Sequence, residues 1–213
     1  MAIADQLTFI FKEAVGKIVL DLCFCRQQLP ILFIDQKAYY GYEINTDFQS
    51  LTCSLTALQY IEARQLLDMG EASLPPLAAV LYSGKGEYSS EKAQKLAQRF
   101  RKLPANTLMA IALNFTAVNN FLFSKTEFSL LTQFAVQPGS CSITTDATDA
   151  LYDLSKDGLG NAHQVEQMNV LTYLRILRKK TIDGVKSLKA SGMDVAKIAT
   201  EVGLPIDIIN KIV

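Results

Sequence analysis

The residue best suited to acid–base catalysis is His163, the single histidine of the chain. Imidazole is the usual general base for a serine or cysteine nucleophile, so Ser-His or Cys-His catalysis would depend on this residue alone. His163 lies beside a predicted helix start, where capping or solvent exposure is a sufficient reason for it. An enzyme would need a pocket that gathers His163 with two carboxylates. We expect no catalytic residue, and an enzyme is the third choice of function.

Residues 153–158 match the opening of an EF-hand calcium loop. Oxygen-bearing side chains alternate there and a glycine follows, at Asp153, Ser155, Asp157 and Gly158. The match then fails, because Gly160 replaces the aliphatic residue of the loop and Gln164 replaces its bidentate glutamate. We predict a solvated turn here and no metal site.

Two further motifs are incomplete. Residues 83–86 read Ser-Gly-Lys-Gly, but they lack the earlier glycine and the later hydroxyl of a phosphate-binding loop. Cys23 and Cys25 could begin a metal site, yet no second pair of cysteines or histidines completes it. Four cysteines are also too few for a disulfide framework in 213 residues, which favours free thiols in a reducing cytoplasm. We expect no cofactor.

The composition predicts a soluble protein of one domain, or of one domain with a small appendage. Of 213 residues, 49% are hydrophobic, and Lys+Arg and Asp+Glu each total 21. Without a net charge, no whole-chain field attracts nucleic acid or an anionic membrane. The N-terminus lacks the features of a signal peptide. The most apolar window, residues 108–123, has only about 16 residues, which is short for a bilayer.

The fold class predicted is mainly α with a small N-terminal β element (α+β) and a C-terminal helical hairpin. Apolar residues recur at helical spacing through residues 104–134, the longest such pattern. β-branched and aromatic residues at 31–34 and 38–44 predict a β-hairpin, and 48–54 could add a third strand. Residues 5–24 fit either a helix or a short helix that leads into a strand at 17–24. Further helices are predicted at 56–69, 77–82, 91–102, 165–188, 193–202 and 205–212.

The clearest boundary in the sequence is Gln-Pro-Gly-Ser at 137–140. The residues that follow are rich in Ser, Thr, Asp and Gly, which is typical of a linker with at most one helical turn. We therefore predict an α+β core domain at 1–137, a linker at 138–162 and a C-terminal helical segment at 163–213.

The last 20 residues have the spacing of a helix-turn-helix, with Gly203 at the turn and Pro205 opening the second helix. Basic residues of the preceding helix could contact a nucleic-acid backbone, namely Arg175, Arg178, Lys179, Lys180, Lys186 and Lys189. The second helix, however, has no arginine to read guanine, and Asp207 would face phosphate. DNA binding is therefore the alternative, and a helical hairpin that packs on its own domain or on a partner is favoured.

Apolar residues on predicted helices are the candidate protein contacts. They are three phenylalanines of the long helix and three isoleucines of the C-terminal hairpin: Phe121, Phe123, Phe128, Ile206, Ile209 and Ile212. Asn114, Asn119 and Asn120 interrupt the long apolar helix. They fit either a contact that needs hydrogen bonds or a solvent-exposed edge of that helix.

Residues 51–88 resemble one known group of proteins. The positions that carry the resemblance lie at a helix entry and in a leucine-rich helix after it: Thr56, Leu58, Gln59, Tyr60, Leu77, Ala79, Val80, Leu81 and Tyr82. This pattern is similar to small tail assembly chaperone-like proteins, encoded among the virion-assembly genes of tailed phages of the Bacteroides lineage. The resemblance implies a non-enzymatic structural or tail-assembly protein. Its partners would be other virion proteins and copies of itself, in the host cytoplasm during assembly or in the virion.

Overall fold

The computed structural model describes residues 31–47, 50–84, 86–134 and 147–213, except the side chains of 132–134 and 147–150. Four short strands come first: β1 (Ile31–Ile34), β2 (Lys37–Tyr40), β3 (Ile44–Asn45) and β4 (Thr52–Cys53). The α-helices follow: α1 (Ala57–Asp68), α2 (Leu74–Leu81), α3 (Ser90–Phe100), α4 (Ala105–Lys125), α5 (Ala147–Lys156), α6 (Ala162–Glu166), α7 (Val170–Ala190), α8 (Val195–Val202) and α9 (Ile206–Ile212). The mainly α class with a small β element is confirmed. The predictions for 5–24, Cys23, Cys25, Cys141 and 137–140 lie outside the described residues.

The predicted hairpin is present as strands β1 and β2, which pair antiparallel with Ile31 opposite Tyr40 and Ile34 opposite Lys37. The two residues between them, Asp35 and Gln36, have φ angles of +49° and +62°. A two-residue turn with positive φ at both positions matches the twist of paired strands, and it forms here without the favoured Asn-Gly sequence.

The third strand is shorter than predicted and pairs elsewhere. Within 48–54 the described strand is β4, which pairs with β3 so that Ile44 lies opposite Cys53. These strands form a second two-stranded sheet rather than extending the hairpin. Beyond the hairpin, the backbone N–H of Tyr42 donates to the carbonyl of Leu81 at 3.2 Å. That bond connects the β segment to the end of α2.

Helix α1 begins and ends where the sequence predicts. Thr56 and Gln59 form a capping box, in which each side chain bonds the other residue's backbone N–H. Met69 is the C-cap, and Gly70 follows with φ +82°. Of the leucine and isoleucine side chains of this helix, Leu58 and Ile61 are buried, whereas Leu66 and Leu67 are half-buried.

The described chain forms two compact units, whose bounds differ from the predicted domains. The first takes its described residues from Met1–Asn119 and Ile143–Leu171, and the second from Asn120–Ser142 and Thr172–Val213. Part of the difference arises because residues 147–156, predicted as linker, form the ten-residue helix α5. Leu151 and Leu154 of this helix are buried, and α5 packs on α1 and α6.

The single helix predicted at 165–188 is divided into α6 and α7 by residues 167–169. Backbone hydrogen bonds explain the break, because this segment pairs with the chain before α1. Ala57 N–H donates to Met168 at 2.7 Å, and Val170 N–H donates to Leu55 at 3.0 Å. Between them, the Asn169 side chain donates to the Cys53 carbonyl and accepts from the N–H of Leu171.

Helix α4 has 21 residues, longer than the apolar window identified in the sequence. Within the described residues it is the one helix that is long and apolar enough to cross a membrane, and 61% of its apolar window is buried inside the chain. The core helix of a globular protein satisfies the same criteria of length and composition. Its asparagines Asn114 and Asn119 are buried, whereas Asn120 is exposed.

The second unit has a small aliphatic core. Val185 of α7, Ile198 of α8, Leu204 of the turn and Ile209 of α9 are buried together. Gly203 ends α8 with φ +71°, the left-handed conformation in which glycine has no steric cost. The predicted C-terminal helical hairpin is therefore present, closed by side chains from three helices.

Candidate functional site

His163 lies in a group of charged side chains on the surface of the first unit. Its Nε2 is 2.5 Å from Oε1 of Glu87, and its Nδ1 is 3.8 Å from Oε2 of Glu166. The imidazole is 59% exposed, and both carboxylates are also in contact with solvent. The structure thus brings two carboxylates to the histidine, but on an open surface rather than in a cleft. The nearby Asn161 and Gln164 form the capping box of α6, in accord with a helix-start role for this segment.

A second polar group lies between α1 and α3. Both carboxylate oxygens of Glu62 accept hydrogen bonds, one from the hydroxyl of Tyr88 and one from that of Ser90. Burial raises the pKa of Tyr88 above its usual value, and the hydrogen bond to Glu62 raises it further. The phenol of Tyr88 therefore stays protonated and donates its hydrogen bond to Glu62.

A cavity of about 260 Å³ lies beside this group, between α1, α2 and α3. Its wall is mostly apolar, from Leu66, Met69, Pro76 and Val80, with Glu62 and Ser90 at one side. A mostly apolar lining with a few polar groups at one side is typical of ligand-binding pockets. This cavity was not predicted from the sequence, because its lining residues come from three separate helices.

The glycine-rich loop lies at a second cavity, of about 230 Å³, with Tyr42, Glu43, Ser54 and Gln59 among its other lining residues. The loop follows the carboxyl end of α2, where the helix dipole is negative. Gln59 holds it by donating from Nε2 to the hydroxyl of Ser83 at 2.8 Å. Phosphate prefers the opposite end of a helix, so this position is unsuited to it.

The EF-hand-like residues do not form a loop. Asp153 and Ser155 lie within α5, and the Ser155 hydroxyl donates to the carbonyl of Gly160 at 2.9 Å. The predicted solvated turn is limited to Asp157 and Gly158, which follow the helix. Across the described ranges, no group of three or more His, Cys, Asp or Glu side chains is placed to hold a metal ion.

Cys53 is a buried free thiol in β4. Burial raises the pKa of this thiol to about 12, while a hydrogen bond from the backbone of Leu55 acts in the opposite direction. Since the thiolate is the nucleophilic form, a thiol with such a pKa is unreactive near neutral pH. Cys53 is a packing residue of the first unit.

The helix-turn-helix geometry predicted from the sequence is present in α8 and α9, but acidic side chains stand at both helix starts. Asp194 is the N-cap of α8 and accepts from the backbone N–H of Ala196 at 3.0 Å. Asp207 is exposed in the first turn of α9. Helix N-termini are places where DNA-binding proteins contact phosphate, and a carboxylate there repels it.

The predicted basic residues divide into two groups on α7. Arg175 and Arg178 both approach Glu127, with Nε of Arg175 at 3.0 Å and Nη1 of Arg178 at 4.0 Å from its carboxylate oxygens. The four lysines are exposed: Lys179, Lys180, Lys186 and Lys189. Within the second unit, Glu127 therefore offsets part of the positive charge that the sequence assigned to this helix.

The predicted protein contacts differ in their exposure. Phe121, Phe128 and Ile209 are buried in the interior of the chain, where core packing explains their apolar character. Phe123 and Ile212 are half-buried. Ile206 is 50% exposed and is the member of the set that presents a large apolar surface. Phe121, Phe128 and Ile209 thus cannot meet a partner in this conformation, and Ile206 on the outer side of α9 is the most exposed of the remaining three.

Val213 was not predicted as a contact and lies on the same side of the C-terminal helix as Ile206. The two are seven residues apart, which is two helical turns, and each is 50% exposed. Helical spacing in the sequence could have indicated this pair, but it could not separate the outer isoleucine from the buried Ile209.

Comparisons of the chain with models of protein families, with curated proteins and with solved structures found no match. The protein can therefore be classified by its fold alone. It is a mainly helical protein with two small antiparallel sheets near the start of its described part.

Proposed function

We propose that the protein is a non-enzymatic phage structural or tail-assembly protein that binds partner chains through apolar helix surfaces. The observation that carries this proposal is the outer side of α9, where Ile206 and Val213 are half-exposed while Ile209 anchors the helix in the core. A helix that packs into a core on one side and exposes large apolar side chains on the other is a common form of protein-binding surface.

The resemblance of residues 51–88 supports the phage class in this proposal. Its partners are then other virion proteins and further copies of the chain, and its location is the host cytoplasm during assembly or the virion. Several positions of the resemblance have packing roles in the first unit. Leu77, Val80 and Leu81 are buried, and Thr56 and Gln59 cap α1. Partner recognition is therefore assigned to the second unit, not to the segment that carries the resemblance.

The test is capture of tail or neck proteins by the purified chain from host cells that are assembling a tailed phage. We expect the unchanged chain to retain such a protein, identified by mass spectrometry, and Ile206→Asp to reduce its capture about tenfold, as for a contact residue of moderate importance. Thr200→Asp is the matched control, because it adds the same charge at an exposed position of α8. A stable monomer that captures no tail or neck protein would refute the proposal.

The alternative function is that of a DNA-binding accessory protein, and the exposed lysines of α7 favour it. Such binding would weaken steeply with salt and would be lost in the double variant Lys179→Glu/Lys180→Glu. Duplex binding by fluorescence anisotropy at two salt concentrations distinguishes the functions. The acidic residues Asp194 and Asp207 at the two helix starts make protein binding the better supported of the two.

A further inference from the structure

The hairpin of β1 and β2 has one face in the core and one face in solvent. Their register places Ile31, Phe33, Ala38 and Tyr40 on the same side of the two strands. Ile31 is 45%, Phe33 69% and Tyr40 48% exposed, so this outer face is apolar and open. On the inner face, by contrast, Tyr39 is buried and meets the ring of Phe100 edge-on at 5.3 Å.

An apolar outer face of this kind is unusual for a hairpin. A sheet with one solvated face normally alternates apolar and polar residues, and the outward positions are the polar ones. Here every outward position of the two strands is apolar, namely Ile31, Phe33, Ala38 and Tyr40. Single exposed apolar side chains are common on proteins, whereas several on one side of a small sheet indicate a contact surface.

The chain itself supplies an occupant at the right place. Residues 1–30 precede β1 without a spacer and lie outside the described residues. Their sequence is rich in large apolar residues, and Ile18, Leu20, Leu22 and Phe24 recur at every second position. A segment joined directly to the edge of a surface has a high effective concentration at it, in the millimolar range for short connections.

We propose that residues 1–30 of the same chain cover the outer face of the β1–β2 hairpin. The contact is intramolecular, and apolar residues of the segment meet Ile31, Phe33 and Tyr40. It is separate from the partner-binding surface on α9, so either proposal stands if the other fails.

The test measures the accessibility of the face in the full chain. In a background with Cys23, Cys25 and Cys141 replaced by serine, the buried Cys53 is the one remaining native thiol. A cysteine is then introduced as Phe33→Cys, or as Met69→Cys at a residue that is 71% exposed. We expect maleimide to label the Phe33→Cys thiol at least about tenfold more slowly, which corresponds to a face uncovered for a tenth of the time or less.

A second pair of variants identifies the cover. Ile18→Asp with Leu22→Asp should restore fast labelling at position 33, because residues four apart share a side in both helical and extended chains. Val19→Asp with Cys23→Asp, the aspartate taking the place of the serine at position 23, is the control, with equal charge and spacing but a different side, and it should leave labelling slow. Far-UV circular dichroism checks that each variant keeps its helical content.

Three outcomes would overturn the proposal. The first is labelling of Phe33→Cys as fast as that of Met69→Cys. The second is protection that both aspartate pairs leave unchanged. The third is protection that disappears on dilution together with a dimer in size-exclusion chromatography, since a second copy would then be the occupant.

Discussion

The two compact units of the chain hold their interiors together in different ways. In the first, buried polar groups meet across the core. Tyr60 donates its hydroxyl to Asn119 at 2.7 Å, and Tyr42 donates to Asn114 at 3.3 Å. In the second, the cluster that packs the C-terminal helices together, Val185, Ile198, Leu204 and Ile209, is wholly aliphatic.

Because of this difference, we expect the two units to tolerate different kinds of substitution. A buried hydrogen bond demands one geometry and penalises its loss, because the remaining partner stays desolvated. An aliphatic cluster depends mainly on the volume of its side chains, so aliphatic residues of similar size can replace one another with a small loss of stability. The first unit should therefore be sensitive to the chemistry of a substitution, and the second to its size.

The largest effect should come from Phe115→Ala in α4. The ring of Phe115 is fully buried and meets Tyr42 and Tyr60 edge-on at 6.3 and 6.0 Å. Its removal leaves a cavity and should lower the free energy of unfolding by about 4 kcal/mol. Urea denaturation followed by circular dichroism measures this. Met109→Ala on the same helix, at a residue that is exposed, should cost less than about 1 kcal/mol. Equal costs for the two variants would contradict the assignment of Phe115 to the centre of this core.

Ile198→Ala should have the next largest effect, in the second unit. Ile198 is fully buried in a cluster of few residues, so its truncation should cost about 3 kcal/mol. Hydrogen exchange at the amides of α8 is the measurement. Ile198→Val should cost about 1 kcal/mol, as an aliphatic cluster permits. If Ile198→Val lowered the stability as much as Ile198→Ala, the stability of this cluster would not depend mainly on side-chain volume.

Tyr60→Phe tests the polar contact of the first unit with almost no change in volume. The loss of the hydroxyl should lower the free energy of unfolding by about 1.5 kcal/mol, since Oδ1 of Asn119 then keeps the longer bond from Arg64 at 3.3 Å. Tyr152→Phe, at an exposed tyrosine, should leave stability unchanged. If Tyr60→Phe left the stability unchanged, the first unit would be no more sensitive to the loss of a polar group than the second.

The smallest effect, of opposite sign, is expected at the hairpin turn. Gln36 adopts φ +62°, a conformation that costs a residue with a Cβ about 1 kcal/mol and costs glycine nothing. After the added entropy of the unfolded chain is subtracted, Gln36→Gly should stabilise the protein by about 0.5 kcal/mol. Lys37→Gly, one residue later and inside β2, should destabilise it instead. Thermal denaturation of the two variants provides the comparison.

Local signals were sufficient for many of these elements. The bounds predicted for α1, 56–69, coincide with its capping residues Thr56 and Met69, and Gly203 and Pro205 marked the turn of the C-terminal hairpin. Long-range pairing was not visible. The break between α6 and α7 depends on hydrogen bonds from residues 168–170 to 55–57, more than a hundred positions away. The prediction of a linker at 147–156 was wrong, because it was based on a composition rich in Asp, Ser and Thr. The segment is a helix because Leu151 and Leu154 are buried in the core of the first unit.

The candidate site likewise could be predicted only in its local features. The chemistry of His163, of the glycine loop and of the incomplete calcium motif could be assessed from residue types and spacing. The surroundings of each could not, because Glu87 lies 76 positions from His163 and Glu62 lies 26 from Tyr88.

The class of fold and most of the helices could be predicted from the sequence, because caps, turns and apolar periodicity act over a few residues. The division of the apolar side chains into core and surface depends instead on tertiary packing. Ile206 and Ile209 are chemically identical and three residues apart, and one is half-exposed while the other is fully buried. That choice depends on which neighbours pack against each side of α9, and those neighbours come from other helices.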